Sequence, residues 1–147
     1  IFVTSNIQVL NINLENVELI KGDWGEGLFS DSKLKEIYLK SRLVILPLIE
    51  TTQPSGQSVT LQAMSVGIPV LITKTKGFWD SEHFIDLENI FFIEKADVGK
   101  WIEKINTIYN DKDNLKHVSK NGVVLINQVY SIDEFNSFIL EELNSKN

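Results

Sequence analysis

Cysteine is absent from the 147-residue sequence, proline appears three times, and Arg42 is the sole arginine. Without cysteine there is neither a disulfide nor a thiolate metal site, and a reducing compartment is compatible with that lack. A single arginine, with fourteen basic against twenty acidic residues and a net charge of -6, excludes the basic face that binding to a phosphate backbone demands. Nucleic acid is therefore not an expected partner. Long apolar stretches are missing too. Leu43 to Ile49 falls far short of the roughly 20 residues that span a bilayer, and no charged-then-apolar leader opens the chain. No transmembrane segment is expected, and the expected location is cytoplasmic, with a peripheral membrane association left open for a full-length protein. The sequence starts at Ile1 on a strand-like run without an initiator Met, and is expected to be a piece of something longer.

What is there is ordinary globular material: 43% hydrophobic and 10% aromatic residues suffice for one core at this length. Ile1 to Thr4 and Val17 to Lys21 are short aliphatic runs ended by the turn formers Ser5-Asn6 and Gly22-Asp23, and predict strands. Leu34, Ile37 and Tyr38 fall at helical spacing between Ser32 and Ser41, behind the candidate caps Ser30, Asp31 and Ser32. Leu43 to Leu48 is continuously aliphatic, the pattern of a strand covered on both faces, and is expected as an inner neighbour of Val70 to Thr73. Between them Val59 to Val66 predicts a helix, with Gly67 at its C′ position and Pro69 beyond it. Asn89 to Ile93 predicts a fifth strand. Asp97 caps a helix whose stripe is Val98, Trp101, Ile102, Ile105, Ile108 and Tyr109, with Trp101 in the core. Two more helices are expected, about Asp113 to Tyr130 and Ile132 to Leu143. Alternating strands and helices give an α/β, Rossmann-like domain, with a mostly parallel sheet of about five strands and helices on both faces.

The stretch Gln53 to Val70 places a buried strand, a small-residue loop and a helix start in succession, which in an open α/β sheet is where ligands bind. Gly56 lets backbone approach a ligand closely, and free N–H groups from about Gln57 to Thr60 would face an anion with the helix dipole behind them. A glycine before a helix is equally an ordinary turn, and both readings stand on the pattern alone.

The run Leu61-Gln62-Ala63-Met64-Ser65-Val66-Gly67-Ile68-Pro69-Val70, behind the loop glycine Gly56, resembles the L-E-A-M-A-x-G-x-P-V signature of the retaining GT-B glycosyltransferases known as glycosyl transferases group 1, or family 4. Val17 to Gly22 resembles that family's V-x-F-x-G segment, and Leu34 to Pro47 its L-x-x-x-Y-x-x-A-D-x-x-x-x-P unit. Gly77 to Asp80 is similar to its G-G-x-x-E loop and Val129-Tyr130-Ser131 to its F-S-W turn, all in the family's order. The resemblance implies half of a GT-B architecture. Residues 1–147 would be one nucleotide-sugar-binding domain that lacks the family's first strand, its G-R/K-x-x-K-G phosphate loop and the N-terminal acceptor domain. Joined to that acceptor domain, it would transfer a sugar from an NDP-sugar to an acceptor; alone, it is expected to be inactive.

The implied donor-nucleotide site is Ser55, Gly56, Gln57, Ser58, Val59, Thr60 and Gln62. Backbone N–H groups would hold the diphosphate, Ser58 and Thr60 would donate hydroxyls, and Gln62 would meet the ribose. Gly22, Asp23 and Trp24 are the candidate base contact. Neither a metal nor a cofactor beyond the NDP-sugar substrate is expected, because backbone donors and the helix dipole offset the phosphate charge. No catalytic residue is assigned. The chain departs from the family's E-x7-E pair: Gln62 stands at the second position and Pro54 at the first, with Gln53 as an alternative if the loop's extra residue lies there. That departure favours a degenerate, non-catalytic binding or scaffold domain as the rival reading. A flavodoxin-like signalling domain is a second rival, but the acidic cluster expected after its first strand is missing. Lys74 and Lys76 follow a strand and are candidate substitutes for the missing basic loop. His83, without a paired carboxylate motif or cysteine, is not assigned catalysis. Asp31, Asp97 and Asp113 are read as helix-start residues, not metal ligands.

Overall fold

Val70, Leu71 and Ile72 are each 0% exposed, so one short strand is enclosed on both faces, and the larger part of the fold is arranged around it. The computed structural model describes residues 2–4, 15–21, 30–94 and 97–145. The elements in chain order are β1 (Phe2–Thr4), β2 (Leu19–Lys21), α1 (Asp31–Lys40), β3 (Val44–Leu46), α2 (Gln57–Ser65), β4 (Val70–Thr73), β5 (Phe91–Ile93), α3 (Val98–Asn110), α4 (Lys112–Val129) and α5 (Ile132–Asn144). Two compact units are separable, Ile1–Ile37 and Tyr38–Asn147, the division falling within α1.

In the first unit β1 and β2 pair in parallel, with Phe2 opposite Leu19 and Thr4 opposite Lys21. In the second, the order β3-β4-β5 is parallel throughout, with Val44 opposite Val70 and Leu71 opposite Phe91. The expected α/β class with parallel strands and interleaved helices is what the chain adopts. The described strands group as β1-β2 and β3-β4-β5. One expectation needs correcting. Leu43 to Leu48 does neighbour Val70 to Thr73, but among the described residues β3 pairs on one side only, and Ile45 is 39% exposed. An aliphatic run reports how well the two faces are covered; it carries no information on whether both edges are hydrogen-bonded.

Side-chain alternation along β4 sends Leu71 one way and Val70 and Ile72 the other. Leu71 joins Phe91 of β5, Ile108 of α3, and Leu115 and Val118 of α4 in a buried cluster, with Leu43, Ile93, Trp101 and Ile105 packed against it. Trp101, expected in the core, is half-buried and packs against the cluster's edge. The stripe expected on α3 is wider than its contact: Trp101, Ile105 and Ile108 face the cluster, while Val98, Ile102 and Tyr109 are exposed.

Local signals account for the helix ends. Ser30 Oγ accepts from the N–H of Lys33 ahead of α1, and Asp97 Oδ1 accepts from Lys100 ahead of α3. Asp111, not Asp113, caps α4 through the N–H of Asn114, and Ser131 caps α5 through that of Glu134. α2 ends in a Schellman motif: Gly67 N–H donates to Met64 O and Ile68 N–H to Ala63 O. No helix among the described residues is long and apolar enough to cross a membrane.

Candidate functional site

The loops that leave β3 and β4 are tied together at the carboxyl end of their sheet. Leu48 N–H donates to Thr73 Oγ1 at 2.9 Å, Lys76 N–H to Glu50 Oε1 at 2.9 Å, and Gly77 N–H to Thr51 O at 2.9 Å. Gly77 is there because nothing larger fits: a Cβ on it would lie 2.5 Å from the Thr52 carbonyl carbon and 2.6 Å from its oxygen. No local pattern marks Glu50 and the Lys76-Gly77 turn as linked, since their contact joins loops on either side of α2. Lys74 Nζ lies 5.1 Å from the ring centroid of Phe92.

Ser55 to Gln62 follow that bound loop. Gly56 has φ 79°, a left-handed conformation that glycine adopts without Cβ strain, and it sits close over the strand ends. A Cβ there would meet Ile72 Cδ1 at 3.0 Å and Leu48 Cδ1 at 3.4 Å. α2 begins directly after it with no side-chain cap. The N–H of Thr60 makes the first helical bond, to Gly56 O at 3.0 Å, so the uncapped donors are those of Gln57, Ser58 and Val59. Gln57 and Ser58 are exposed, Ser55, Gly56 and Val59 half-buried. Thr60 differs from its expected part as an open hydroxyl donor: it is 0% exposed, and its buried Oγ1 has no hydrogen-bond partner. Pro54 and Gln53 are exposed on the loop, and Gln53 N–H donates to Thr51 Oγ1. Gly22, Asp23 and Trp24, the candidate base contact, lie outside the described residues.

Gln62, expected to meet a ribose, has a partner already. Tyr38 Oη donates to Gln62 Oε1 at 3.2 Å, across 24 positions of sequence. Tyr38 is 8% exposed, and burial pushes its phenol above the usual value.

A second polar cluster lies on the loop after β4. Asp80 Oδ1 accepts from the N–H groups of Glu82 and His83, each at 3.1 Å. Its Oδ2 lies 2.8 Å from His83 Nδ1 and accepts from the Tyr130 hydroxyl. The two segments that resemble the G-G-x-x-E loop and the F-S-W turn are therefore joined directly, Asp80 to Tyr130. Burial pushes the Asp80 carboxyl up, but the Tyr130 hydroxyl and the N–H and imidazole of His83 together outweigh it and hold the carboxyl below the usual carboxylate range. Burial and then the Asp80 carboxylate push the Tyr130 phenol well above its ordinary value. Phe78 packs edge-on against Phe84 and Phe92, with centroids 5.5 and 4.9 Å away, and Trp79 stands 4.2 Å from Phe78. Beside this cluster an open groove of about 800 Å³ runs between His83, Tyr130 and the α5 side chains Ile132, Glu134, Phe135 and Phe138. It shares no residue with Ser55 to Gln62. Its lining is largely apolar along α5, with His83, Gln128, Ser131 and Glu134 as its polar members. Among the described residues, no group of three or more His, Asp or Glu is placed to hold a metal ion.

Comparison with known proteins agrees with the fold. The family model described as Glycosyl transferases group 1 matches residues 27–123, which include the whole of Ser55 to Gln62. No curated protein matches the chain. Among solved structures, the C-terminal domain of the glycosyl transferase group 1 family protein LpcC from Francisella tularensis is similar, at 22% identity and TM-score 0.58 over 78% of this chain and 54% of that one. HepE from Anabaena in complex with UDP-glucose is similar at 23% identity and TM-score 0.66, over 90% of this chain and 33% of that one. HepE in complex with UDP and glucose gives 21% identity and TM-score 0.64, over 87% and 32%. This chain thus spans about half the LpcC chain and a third of each HepE chain. At these identities the solved structures speak for the shared fold, and the family match, covering well over half the sequence, carries the assignment: the chain belongs to the glycosyl transferases group 1 family.

Proposed function

We propose that this domain binds the nucleotide part of an NDP-sugar and, with an acceptor-binding domain outside the 147 residues, transfers the glycosyl group to an acceptor. The observation that carries the reading is the start of α2. There the left-handed Gly56 brings the chain close over Ile72 and Leu48, and leaves the donors of Gln57, Ser58 and Val59 uncapped at the carboxyl end of a parallel sheet. Such a helix start holds a diphosphate by backbone donors and dipole without a lysine. Ser55 and Ser58 supply further polar groups, Thr60 closes the first turn, and Gln62 lies on the same helix. Gly22, Asp23 and Trp24 stay the candidate base contact. UDP in the HepE complexes fits the same class of ligand. A metal has no required part in this scheme.

A site walled by two domains loses half its enclosure when one is absent, so the 147-residue chain alone is expected to bind weakly and to turn over nothing. The test is a titration of UDP followed by backbone amide NMR shifts. Gly56 to Val59 should move most, and Gly56→Val should abolish the response, because a β-branched residue resists positive φ and would press on Ile72. Largest shifts along the His83 and α5 groove, with Gly56 to Val59 silent, would overturn the reading.

A second reading, a domain that binds a nucleotide without catalysis, is favoured by Pro54, which brings no polar side chain to the loop, and by Gln62, whose oxygen is engaged by Tyr38. A panel of NDP-sugars offered to the full-length protein separates the two, since the second predicts binding without turnover.

A further inference from the structure

The groove beside α5 is open, about 800 Å³ in volume, and separate from the start of α2. Phe135 and Phe138 lie three residues apart on α5, so their rings follow one another along one wall at about 4.5 Å of axial rise. They are 58% and 59% exposed. Polar side chains share the lining. The carboxylate of Glu134 and the carboxamide of Gln128 make no hydrogen bond or ion pair among the described residues. His83 is held through one ring nitrogen: Nδ1 is 2.8 Å from Asp80 Oδ2, which leaves Nε2 to a ligand. Tyr130, its hydroxyl engaged by the same carboxylate, contributes its ring.

Those groups restrict what fits. Neither lysine nor arginine lines the groove, and Glu134 sets a negative charge on it, so an anion meets a like charge without a fixed cation beside it. A wholly apolar ligand would strip water from Glu134 and Gln128 and return no hydrogen bond. A neutral sugar ring answers both demands, since its C–H face covers an aromatic ring while its hydroxyls donate to Glu134 and exchange bonds with Gln128. A hydroxyl also serves His83 Nε2 in either protonation state, as donor to the bare nitrogen or acceptor from its N–H. We propose that the groove between His83 and α5 binds a neutral oligosaccharide, with Phe135 and Phe138 beneath successive sugar rings and Glu134, Gln128 and His83 on their hydroxyls. This site shares no residue with the start of α2, so it stands or falls apart from the donor-nucleotide reading.

The test is an amide NMR titration of the 147-residue chain with glucose, maltotriose and cellotriose, followed along residues 128–138 and at the Gln128 side-chain amide. At least one trisaccharide should shift these resonances saturably and bind about threefold or more tighter than glucose, because only the longer ligand reaches both rings. Phe138→Ala should weaken that trisaccharide about three- to tenfold, and Glu134→Ala about tenfold. Both residues are exposed, so the fold should survive either change, and an unaltered spectrum away from α5 verifies that it has. The proposal is overturned if no saccharide gives a saturable shift in the groove, if glucose and the trisaccharides bind equally, or if both variants keep the wild-type affinity. Saccharide shifts confined to Gly56 to Val59 overturn it as well. So does saturation of the groove by hexylammonium with the saccharides silent, which would make this face a docking surface for a basic apolar segment.

Discussion

α4 and α5 are consecutive amphipathic helices with opposite fates. α4 buries Leu115, Val118, Gly122, Leu125 and Ile126, and Gly122 is small enough to admit Met64 of α2, whose Cε would lie 3.2 Å from a Cβ placed there. α5 buries nothing, although it carries Ile132, Phe135, Phe138, Ile139, Leu140 and Leu143, each at least 40% exposed. Both begin with a sound cap and both have an apolar stripe. The difference teaches that patterning writes which face of a helix is apolar, while coverage depends on whether another element is placed to meet it. The same holds within α3, where Ile108 is buried and Ile102, on the next stripe over, is 55% exposed.

The contrast is sharpest in the response to truncation. Phe91→Ala, in the cluster shared by β5, α3 and α4, is expected to cost about 3–5 kcal/mol, read from urea unfolding. A loss below about 1 kcal/mol would show that the cluster does not hold the fold. Next comes Gly77→Ala, whose added methyl would sit against the Thr52 carbonyl. Overpacking of this kind should cost about 1–3 kcal/mol and loosen the loop that leads to Gly56, seen as faster amide exchange at Lys76 and Gly77.

Tyr130→Phe removes one donor from Asp80 and should cost about 1 kcal/mol near neutral pH, with a characteristic pH signature. Asp80 is held below its ordinary value in the folded state. Its contribution is therefore complete above about pH 4, the unfolded carboxyl's range, and is lost as pH falls through the lower folded value. The Tyr130 phenol is raised, so its contribution is complete below about pH 10 and is lost as pH climbs past that toward the folded value. Thermal midpoints measured across pH should show both limbs flattened in Tyr130→Phe. A variant that merely lowers the whole curve would show that the Asp80 bond is not the coupling. The smallest effect is expected on α5: Phe138→Ser should change stability by less than about 0.5 kcal/mol, because the ring is 59% exposed. A loss as large as that at Phe91 would break the comparison outright.

Much of the fold is legible in the residues themselves. Asp97 ahead of Val98, and Gly67 with Pro69 after Ser65, mark helix ends, because a cap acts within about four residues of itself and needs no tertiary help. Val70 to Thr73 announces a strand covered on both faces for the same local reason, and the motif from Leu61 to Val70 points to the family. Ser55 to Gln62 lie together because they are contiguous in sequence. The features that sequence leaves unmarked are those that join distant segments. Tyr38 meets Gln62 across 24 positions and Asp80 meets Tyr130 across 50, and nothing in either neighbourhood marks its partner. That Thr60 turns its hydroxyl inward, that β3 pairs on one side among the described residues, and that α4 is covered while α5 is not were likewise decided by tertiary placement. Propensity, capping and periodicity are short-range terms written residue by residue, so the sequence alone determined the elements, their apolar faces and the loop glycine before α2. Burial and side-chain pairing depend on which surfaces the assembled sheet and helices bring within hydrogen-bond and van der Waals reach, and only the tertiary structure decided those.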